Sequence, residues 1–268
     1  MHTPAVISKK KLTSNASPLE NPPNRNRSRF SGRALVAALL AFALYPSFTA
    51  AQNIGMVADD GTNTVIVFDG DADTVLGTVS LPSGGAVGDC AVTADQALGF
   101  VTDFASRVWV IDLTTSPPSL AAGTNPIPIS NPGEDLIISP NGQFLIVCDG
   151  SAVAPISVVD ISSRTEVSTF APGSNCTSVD ICPDGSVIVT EVFPGRIHRL
   201  ILDAFGNLTH SGETLNLSSD PFNVYCVPNG KSGVVITAGL AVSFTIPGLT
   251  QVDARSLSGH GVSGVFNL

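Results

Sequence analysis

Acidic side chains are the residues of this sequence whose types and spacing suggest chemistry. Aligned along a repeat described below, four of them occupy one equivalent position, the end of the second strand of a unit: Asp59, Asp103, Asp149 and Glu191. Asp89 and Asp135 stand at the start of two innermost strands, so we expect them to approach the same end of the fold. Carboxylates held close together raise one another's pKa and favour a bound cation or a basic partner. The pattern therefore predicts a ligand-binding ring of up to six acids.

The same acids also have a simpler interpretation. Asp is a common turn residue because its side chain accepts hydrogen bonds from nearby backbone N–H groups. Each acid at the end of a second strand would then only close its own turn. The sequence alone leaves both interpretations open.

The sequence contains no recognisable catalytic motif. His198, His210 and His260 lie outside any G-x-S-x-G or H-E-x-x-H pattern, and we expect them at surface or turn positions. Residues 69–73 carry the alternating acids of a calcium loop, but Ser80 stands where an EF-hand places an acid, which favours a solvated turn. No cofactor is predicted, and Ca²⁺ is the one ion considered.

Five cysteines are an odd number, so at least one must stay unpaired within the chain: Cys90, Cys148, Cys176, Cys182 and Cys226. Their spacings contain no C-x-x-C, which gives no support to a zinc or haem site. We expect them to be small buried apolar residues, because free Cys is among the most buried residue types.

Residues 1–51 have the order of a secretory signal peptide with a long basic n-region. Seven Lys and Arg residues precede or flank an apolar run over 34–45, and small residues follow up to Ala51. The run is shorter than the roughly 20 residues that span a bilayer, so cleavage near Ala51–Gln52 is predicted, with an uncleaved anchor as the alternative. The predicted localisation is secreted, periplasmic or at the cell surface, with no membrane span in the mature chain.

Charge excludes one class of partner. The whole chain has a formal charge of −9, and the leader carries seven of the 13 basic residues but only one of the 22 acidic ones. A domain of residues 52–268 this acidic repels nucleic acid and anionic membranes. A protein or a small cationic ligand is the partner that it favours.

A repeat of about 45 residues determines the predicted fold. Turns of the type Pro-Asp/Asn-Gly recur around Asn141, Asp184 and Asn229, and Ala94-Asp95-Gln96 is a weaker copy. The four anchors, with Asp95 as the first, are separated by 46, 43 and 45 residues. An apolar strand enters each turn, and three more strands follow it, with no helical periodicity anywhere. Four strands per unit of this length predict the antiparallel blades of an all-β propeller.

The two ends of the repeat predict a closed ring. Residues 55–80 supply strands two to four of a unit, and residues 261–268 supply a lone first strand. Pairing them completes a first blade and removes exposed sheet edges, which gives a five-bladed propeller over 52–268. A truncated seven-bladed propeller is the alternative.

The repeat resembles the YVTN β-propeller family. Phe100-Val101-Thr102-Asp103 is similar to the family's Tyr-Val-Thr-Asn core, and Val110-Ile111-Asp112-Leu113-Thr114 matches the segment that follows it. The resemblance implies an exported or surface propeller, usually of seven blades and without one established activity.

We therefore expect an exported, non-catalytic binding scaffold with its ligand at the mouth of the channel. A hydrolase of lactone or glycan type is the alternative, and a cofactor-bearing redox propeller comes third. The expectation against catalysis rests on the lack of a nucleophile–base pair in the sequence.

Overall fold

The computed structural model describes residues 53–82, 86–150 and 156–257, and these ranges form an all-β fold without a helix. The strands of the first two sheets are β1 Ile54–Asp59, β2 Thr64–Asp69, β3 Thr74–Ser80, β4 Val87–Val92, β5 Leu98–Asp103, β6 Arg107–Asp112, β7 Ser119–Leu120 and β8 Ile127–Pro128. The third and fourth sheets contain β9 Asp135–Ile138, β10 Phe144–Cys148, β11 Ile156–Asp160, β12 Thr165–Phe170, β13 Val179–Ile181, β14 Ser186–Glu191, β15 Arg196–Leu202 and β16 Leu208–Asn216. The fifth contains β17 Pro221–Cys226, β18 Ser232–Thr237, β19 Leu240–Thr245 and β20 Gln251–Ser256.

The strands form five antiparallel sheets in chain order, which we call sheets A to E. Sheet A is β1-β2-β3, and sheet B is β4-β5-β6-β7 with β8 also paired to β6. Sheets C, D and E contain four strands each, β9 to β12, β13 to β16 and β17 to β20. Sheets C, D and E confirm the prediction of four-stranded antiparallel units, whereas sheet A has three strands and sheet B has five. The described residues thus have a propeller-like fold.

The repeated turn has the local structure that its residues predict. Gly142, Gly185 and Gly230 adopt positive φ at the last position of the turn, and Gln96 takes the same conformation in the weaker first copy. In all four turns this residue donates its backbone N–H to the carbonyl three positions earlier, at 2.8–3.0 Å. The anchor side chain accepts the N–H two residues ahead of it, as Asp184 does from Ser186 at 2.9 Å. The turn chemistry therefore fixes where each first strand ends and each second strand begins.

The hydrophobic core is divided among successive pairs of sheets. Successive side chains of a strand point to opposite faces. Sheets B, C and D, which have a neighbouring sheet on both faces, therefore each contribute to two clusters. In β14, Val187 and Val189 pack toward sheet C, while Ile188 packs toward sheet E. Equivalent clusters join A to B and B to C. The sheets are thus stacked face to face, with the core between them.

Two predicted segments lie outside the described residues: the leader 1–51 and the closing strand 261–268. The other end of the repeat, residues 55–80, is described and folds as β1 to β3. β1 ends at Asp59, and an acid likewise ends or directly follows the second strands β5, β10 and β14; β18 is followed by Ala238 instead. No helix within the described ranges is long and apolar enough to cross a membrane.

Four of the five cysteines form disulfides, which corrects the expectation that they are merely buried apolar residues. Cys148, at the end of β10, bonds to Cys176 just before β13, and so joins sheets C and D. Cys182, after β13, bonds to Cys226 at the end of β17 and joins sheets D and E. Cys90 is free, as the odd number required. Disulfides are typical of proteins folded in oxidising compartments.

We expect peptide mapping under non-reducing conditions to recover these two pairs and a single thiol. Burial raises the pKa of the Cys90 thiol to about 11, so alkylation of the folded protein at neutral pH should be slow and should become fast in denaturant.

Reduction should lower the free energy of unfolding by about 3–4 kcal/mol per bridge, because the bridges close loops of 28 and 44 residues. Cys90→Ser is the control that keeps both bridges. A map in which Cys90 is bridged would contradict this assignment.

Candidate functional site

The first strand of each of sheets B to E, which we call its innermost strand, is β4, β9, β13 or β17. A cavity of about 540 Å³ opens where these four strands begin. The residues that line it come from β4, from the start of β9, from β13 with the residues before it, and from β17. They are Asp89, Glu134, Asp135, Thr177, Ser178, Val179, Asp180, Phe222, Asn223, Val224 and Tyr225. Two of the six predicted site residues, Asp89 and Asp135, therefore lie in the same cavity.

The repeat explains why these residues meet. Asp89, Asp135, Ser178 and Asn223 each stand six residues before the anchor of their own turn. Equal spacing puts them at the same height on successive innermost strands, so the cavity contains one equivalent polar residue from each of sheets B to E.

These polar side chains connect strands that belong to different sheets. Asp135 Oδ2 accepts a hydrogen bond from the backbone N–H of Val179 in the next sheet, at 2.9 Å. Ser178 Oγ accepts from the N–H of Val224 in the sheet after that, at 3.2 Å. Neighbouring innermost strands thus use side chains where a continuous sheet would use backbone carbonyls.

Asp180 makes a third bridge of the same kind, two residues further along β13. Its Oδ2 accepts from the N–H of Cys226 at 2.6 Å, and its Oδ1 accepts from the N–H of Ile181 at 2.8 Å. The alignment did not reveal this acid, because the equivalent position in β9 holds the apolar Ile137. Glu134 was also missed, since it comes one residue before the repeat position.

Three carboxyl groups of the cavity have raised pKa values. Burial raises the pKa of Asp135 to about 7; the hydrogen bond from Val179 acts in the opposite direction, and the nearby Asp89 carboxylate raises it further. Burial, then the charge of Asp149, raises the pKa of Glu134. Burial raises that of Asp180. These carboxyl groups therefore keep their protons to higher pH than exposed carboxyl groups do, because burial disfavours their charged forms.

The rest of the lining suits an organic cation. Phe222 and Tyr225 are half-buried aromatic residues in the cavity wall, and aromatic faces attract cations. The lining, as far as the structure describes it, contains no Lys, Arg or His. Within the described residues, no group of three or more His, Cys, Asp or Glu side chains is arranged to hold a metal ion.

The four acids at the ends of second strands are not among the residues that line this cavity. Asp59 accepts from the N–H of Gly61 at 3.0 Å and from the Thr62 hydroxyl at 2.8 Å, so it closes its own turn. Asp149 is buried, and its carboxylate contributes to the raised pKa of Glu134. Their part in ligand binding stays a prediction.

Asp103 is fully buried and accepts three hydrogen bonds within its own hairpin. Its Oδ1 accepts from the N–H of Ala105, and its Oδ2 accepts from Arg107 Nε and Trp109 Nε1, all at 2.9 Å. Donors on the turn and on the third strand thus hold this carboxylate.

Sheet D repeats this arrangement with a different ring. Glu191 is 4% exposed, and its Oε2 lies 2.8 Å from His198 Nε2 and 3.7 Å from Arg196 Nη1. Glu191 Oε1 also accepts the N–H of Ser174 at 3.2 Å. The strand register places Arg196 opposite Glu191 and His198 opposite Val189, the positions that Arg107 and Trp109 occupy in sheet B.

His198 is buried, which corrects the expectation that the histidines are surface or turn residues. It is 3% exposed, and burial lowers its pKa, while its hydrogen bond to Glu191 acts in the opposite direction. His210 on β16 is exposed, as predicted, and His260 lies outside the described residues. In both hairpins an Arg follows the acid by four or five residues, and a ring residue follows the Arg by two. This spacing is the sequence signal that could have revealed the pair of Glu191 and His198.

We expect the Asp135 carboxyl to make stability depend on pH. Its pKa is about 7 in the folded state and near the ordinary aspartate value of 3.8 in the unfolded state. The folded state therefore binds more protons over this range, and the free energy of unfolding should fall as pH rises from about 4 through 7. Asp135→Asn keeps an oxygen that can accept from Val179 and removes the charge. Urea unfolding at pH 5 and pH 8 should show a smaller loss for this variant than for the parent.

Asp59→Asn, in an exposed turn, is the matched control and should leave the pH dependence of the parent in place. An unchanged pH dependence in Asp135→Asn would mean that the carboxyl titrates normally.

Comparisons with known proteins establish the fold and leave the activity open. No protein-family model matches the chain, and no curated protein matches it. A protein of unknown function from Desulfotomaculum acetoxidans has 21% identity and a TM-score of 0.69, with 78% of this chain and 67% of that one covered. A candidate 6-phosphogluconolactonase from Bacteroides fragilis has 16% identity and a TM-score of 0.66, with 77% and 68% covered. Kuenenia stuttgartiensis hydrazine synthase has 16% identity and a TM-score of 0.58, with 72% and 61% covered. This chain spans between three fifths and about two thirds of these structures, and at such identities the likeness concerns the fold alone.

Proposed function

We propose that this protein is an exported, non-catalytic β-propeller that binds a cationic ligand in the cavity at the start of its innermost strands. The observation that carries the proposal is the cavity itself, which four acidic and two aromatic residues line without a basic residue among the described lining. A cation placed there gains attraction from the carboxylates and from the aromatic faces. Export is supported by the leader pattern of residues 1–51 and by the two disulfides.

The ligand class follows from the shape and charge of the cavity. A volume of about 540 Å³ is in the range of pockets that hold small organic molecules. A guanidinium or ammonium group is the cation that carboxylates and aromatic rings recognise together. The ligand is therefore a small organic cation, or an Arg or Lys side chain presented by a partner protein.

We expect arginine methyl ester to stabilise residues 52–268 in a thermal-shift assay and to bind saturably by calorimetry. Citrulline methyl ester, which replaces the guanidinium by a neutral urea group, should bind at least tenfold more weakly. Asp89→Asn combined with Asp135→Asn should weaken binding of the arginine ester at least tenfold. Binding should also strengthen as pH rises through 7, because Asp135 then becomes charged.

The matched control is Asp59→Asn with Asp71→Asn, which removes the same charge from turns outside the cavity and should keep the affinity. Equal binding of the two esters, or full binding by the cavity double variant, would show that the cavity does not select cations.

A lactone hydrolase is the second candidate, and one observation favours it. A carboxyl with a pKa of about 7 is suited to general acid–base catalysis near neutral pH, and the fold is shared with a candidate 6-phosphogluconolactonase. The acidic lining opposes a phosphorylated substrate, because carboxylates repel a phosphate group. An uncharged sugar lactone is the substrate to test, and turnover abolished by Asp135→Asn would favour hydrolysis over simple binding.

We propose in addition that the chain is a five-bladed member of the YVTN propeller family, closed by pairing residues 261–268 with β1. The support is the acid that ends β1, because an acid also ends or directly follows the second strands β5, β10 and β14. Deleting residues 259–268 should lower the melting temperature and promote aggregation, because the free edge of β1 would be exposed. If the shortened protein melts like the full one, the ring is not closed in this way.

A further inference from the structure

Sheet D contains a cluster of polar side chains that is separate from the cavity. His198 Nδ1 lies 3.1 Å from His210 Nε2 and 3.1 Å from Thr214 Oγ1, and the last two atoms are 3.3 Å apart. His198 comes from β15, and the other two come from the outermost strand β16. Two ring nitrogens and one hydroxyl oxygen therefore form a nearly equilateral triangle.

The dimensions of this triangle match those of a transition-metal site. Zinc binds imidazole nitrogen at about 2.0–2.1 Å, so two ligands of a tetrahedral ion are about 3.3 Å apart. All three observed separations are close to that value. The described part of the chain has no group of three or more His, Cys, Asp or Glu arranged for a metal, so the site would consist of two imidazoles, a hydroxyl and water.

The other ring nitrogen of His198, Nε2, contacts a carboxylate, as the second nitrogen of metal-binding histidines commonly does. Such a ring usually donates its second N–H to a carboxylate, which fixes the tautomer and points the other nitrogen at the metal. His198 Nε2 lies 2.8 Å from the buried Glu191 Oε2. The Nε2–H form leaves the lone pair of Nδ1 directed at His210 and Thr214.

Comparison with sheet B shows that the fold does not need this lone pair. There the equivalent ring is Trp109, whose Nε1–H makes the same contact with the acid, and an indole offers no other nitrogen. Using His in place of Trp in sheet D keeps the bond to the acid and adds a basic nitrogen. His210 and Thr214, which face this nitrogen, are exposed and give an ion access from solvent.

We infer that His198 Nδ1, His210 Nε2 and Thr214 Oγ1 form a binding site for a divalent transition-metal ion of the zinc or nickel type. Gly212 donates its N–H to His210 Nδ1 at 2.8 Å, which places the proton of that ring on Nε2. Binding the ion requires the other tautomer of His210, in which Nε2 gives its proton to solvent and Nδ1 takes one up. The bond from Gly212 is then given up, and this exposed glycine turns its N–H to solvent. The ion therefore replaces a network of hydrogen bonds with coordination by the same atoms.

The test is calorimetric titration of Zn²⁺ and of Ni²⁺ into the untagged protein near pH 7.5. We expect saturable binding of one ion per chain and at least a tenfold loss of affinity in His210→Ala, an exposed site where the substitution leaves the core intact. In an NMR titration, Zn²⁺ should shift the imidazole resonances of both His198 and His210, a result that does not depend on any variant.

Two controls separate this site from the others. His260→Ala and the double variant Asp89→Asn with Asp135→Asn should both keep the metal affinity, so failure of the cavity proposal would leave this one standing. Absence of saturable binding, full affinity in His210→Ala, or loss of binding in either control would overturn the assignment.

Discussion

Side-chain acceptors on the innermost strands are the interaction on which the rest of this structure depends. Neighbouring innermost strands belong to different sheets, so their inward N–H groups have no backbone partner in a ladder. Asp135, Ser178 and Asp180 supply the missing acceptors to the following sheet. Because buried N–H groups must be paired, side chains with acceptor oxygens are needed at the shared position of Asp135 and Ser178, and Asp180 adds one two residues further along. The acidic cavity is a direct result of that requirement.

The hairpins between second and third strands satisfy a different requirement. In sheets B and D a buried acid is held by an Arg opposite it and by a ring N–H two residues further along the third strand. A buried carboxylate without such donors would be costly. The ring can be Trp or His for this purpose, and only the choice of His gives the hairpin a second, chemically reactive nitrogen. The same structural position therefore carries a basic nitrogen in sheet D, where it is His198, and none in sheet B, where it is Trp109.

The repeat made most of the fold predictable from the sequence. In the unit anchored at Asn141, three strands follow the turn as predicted, and they are β10, β11 and β12. Turn residues and alternation are local signals, which explains this agreement. The disulfides were not predicted, because pairing depends on how sheets stack and the spacing of cysteines does not encode that.

The candidate site was predictable only in part. Asp89 and Asp135 were found because they recur at one position of the repeat, and both lie in the cavity. Glu134 and Asp180 have no counterparts in the other units, so alignment could not single them out. The burial of His198 was missed because a polar residue type argues for the surface unless its partner, here Glu191, is recognised at the same time.

The two disulfides also determine what happens if the polypeptide is cut. The loop over 171–175, between β12 and β13, is partly exposed, and so is the turn before β17. A protease that cleaves between residues 148 and 176, or between 182 and 226, leaves fragments that are still covalently joined. In a protease-rich environment, a single nick within either of these two loops would therefore leave the fragments connected. Sheets A and B, whose described residues contain only the free Cys90, rely on packing alone.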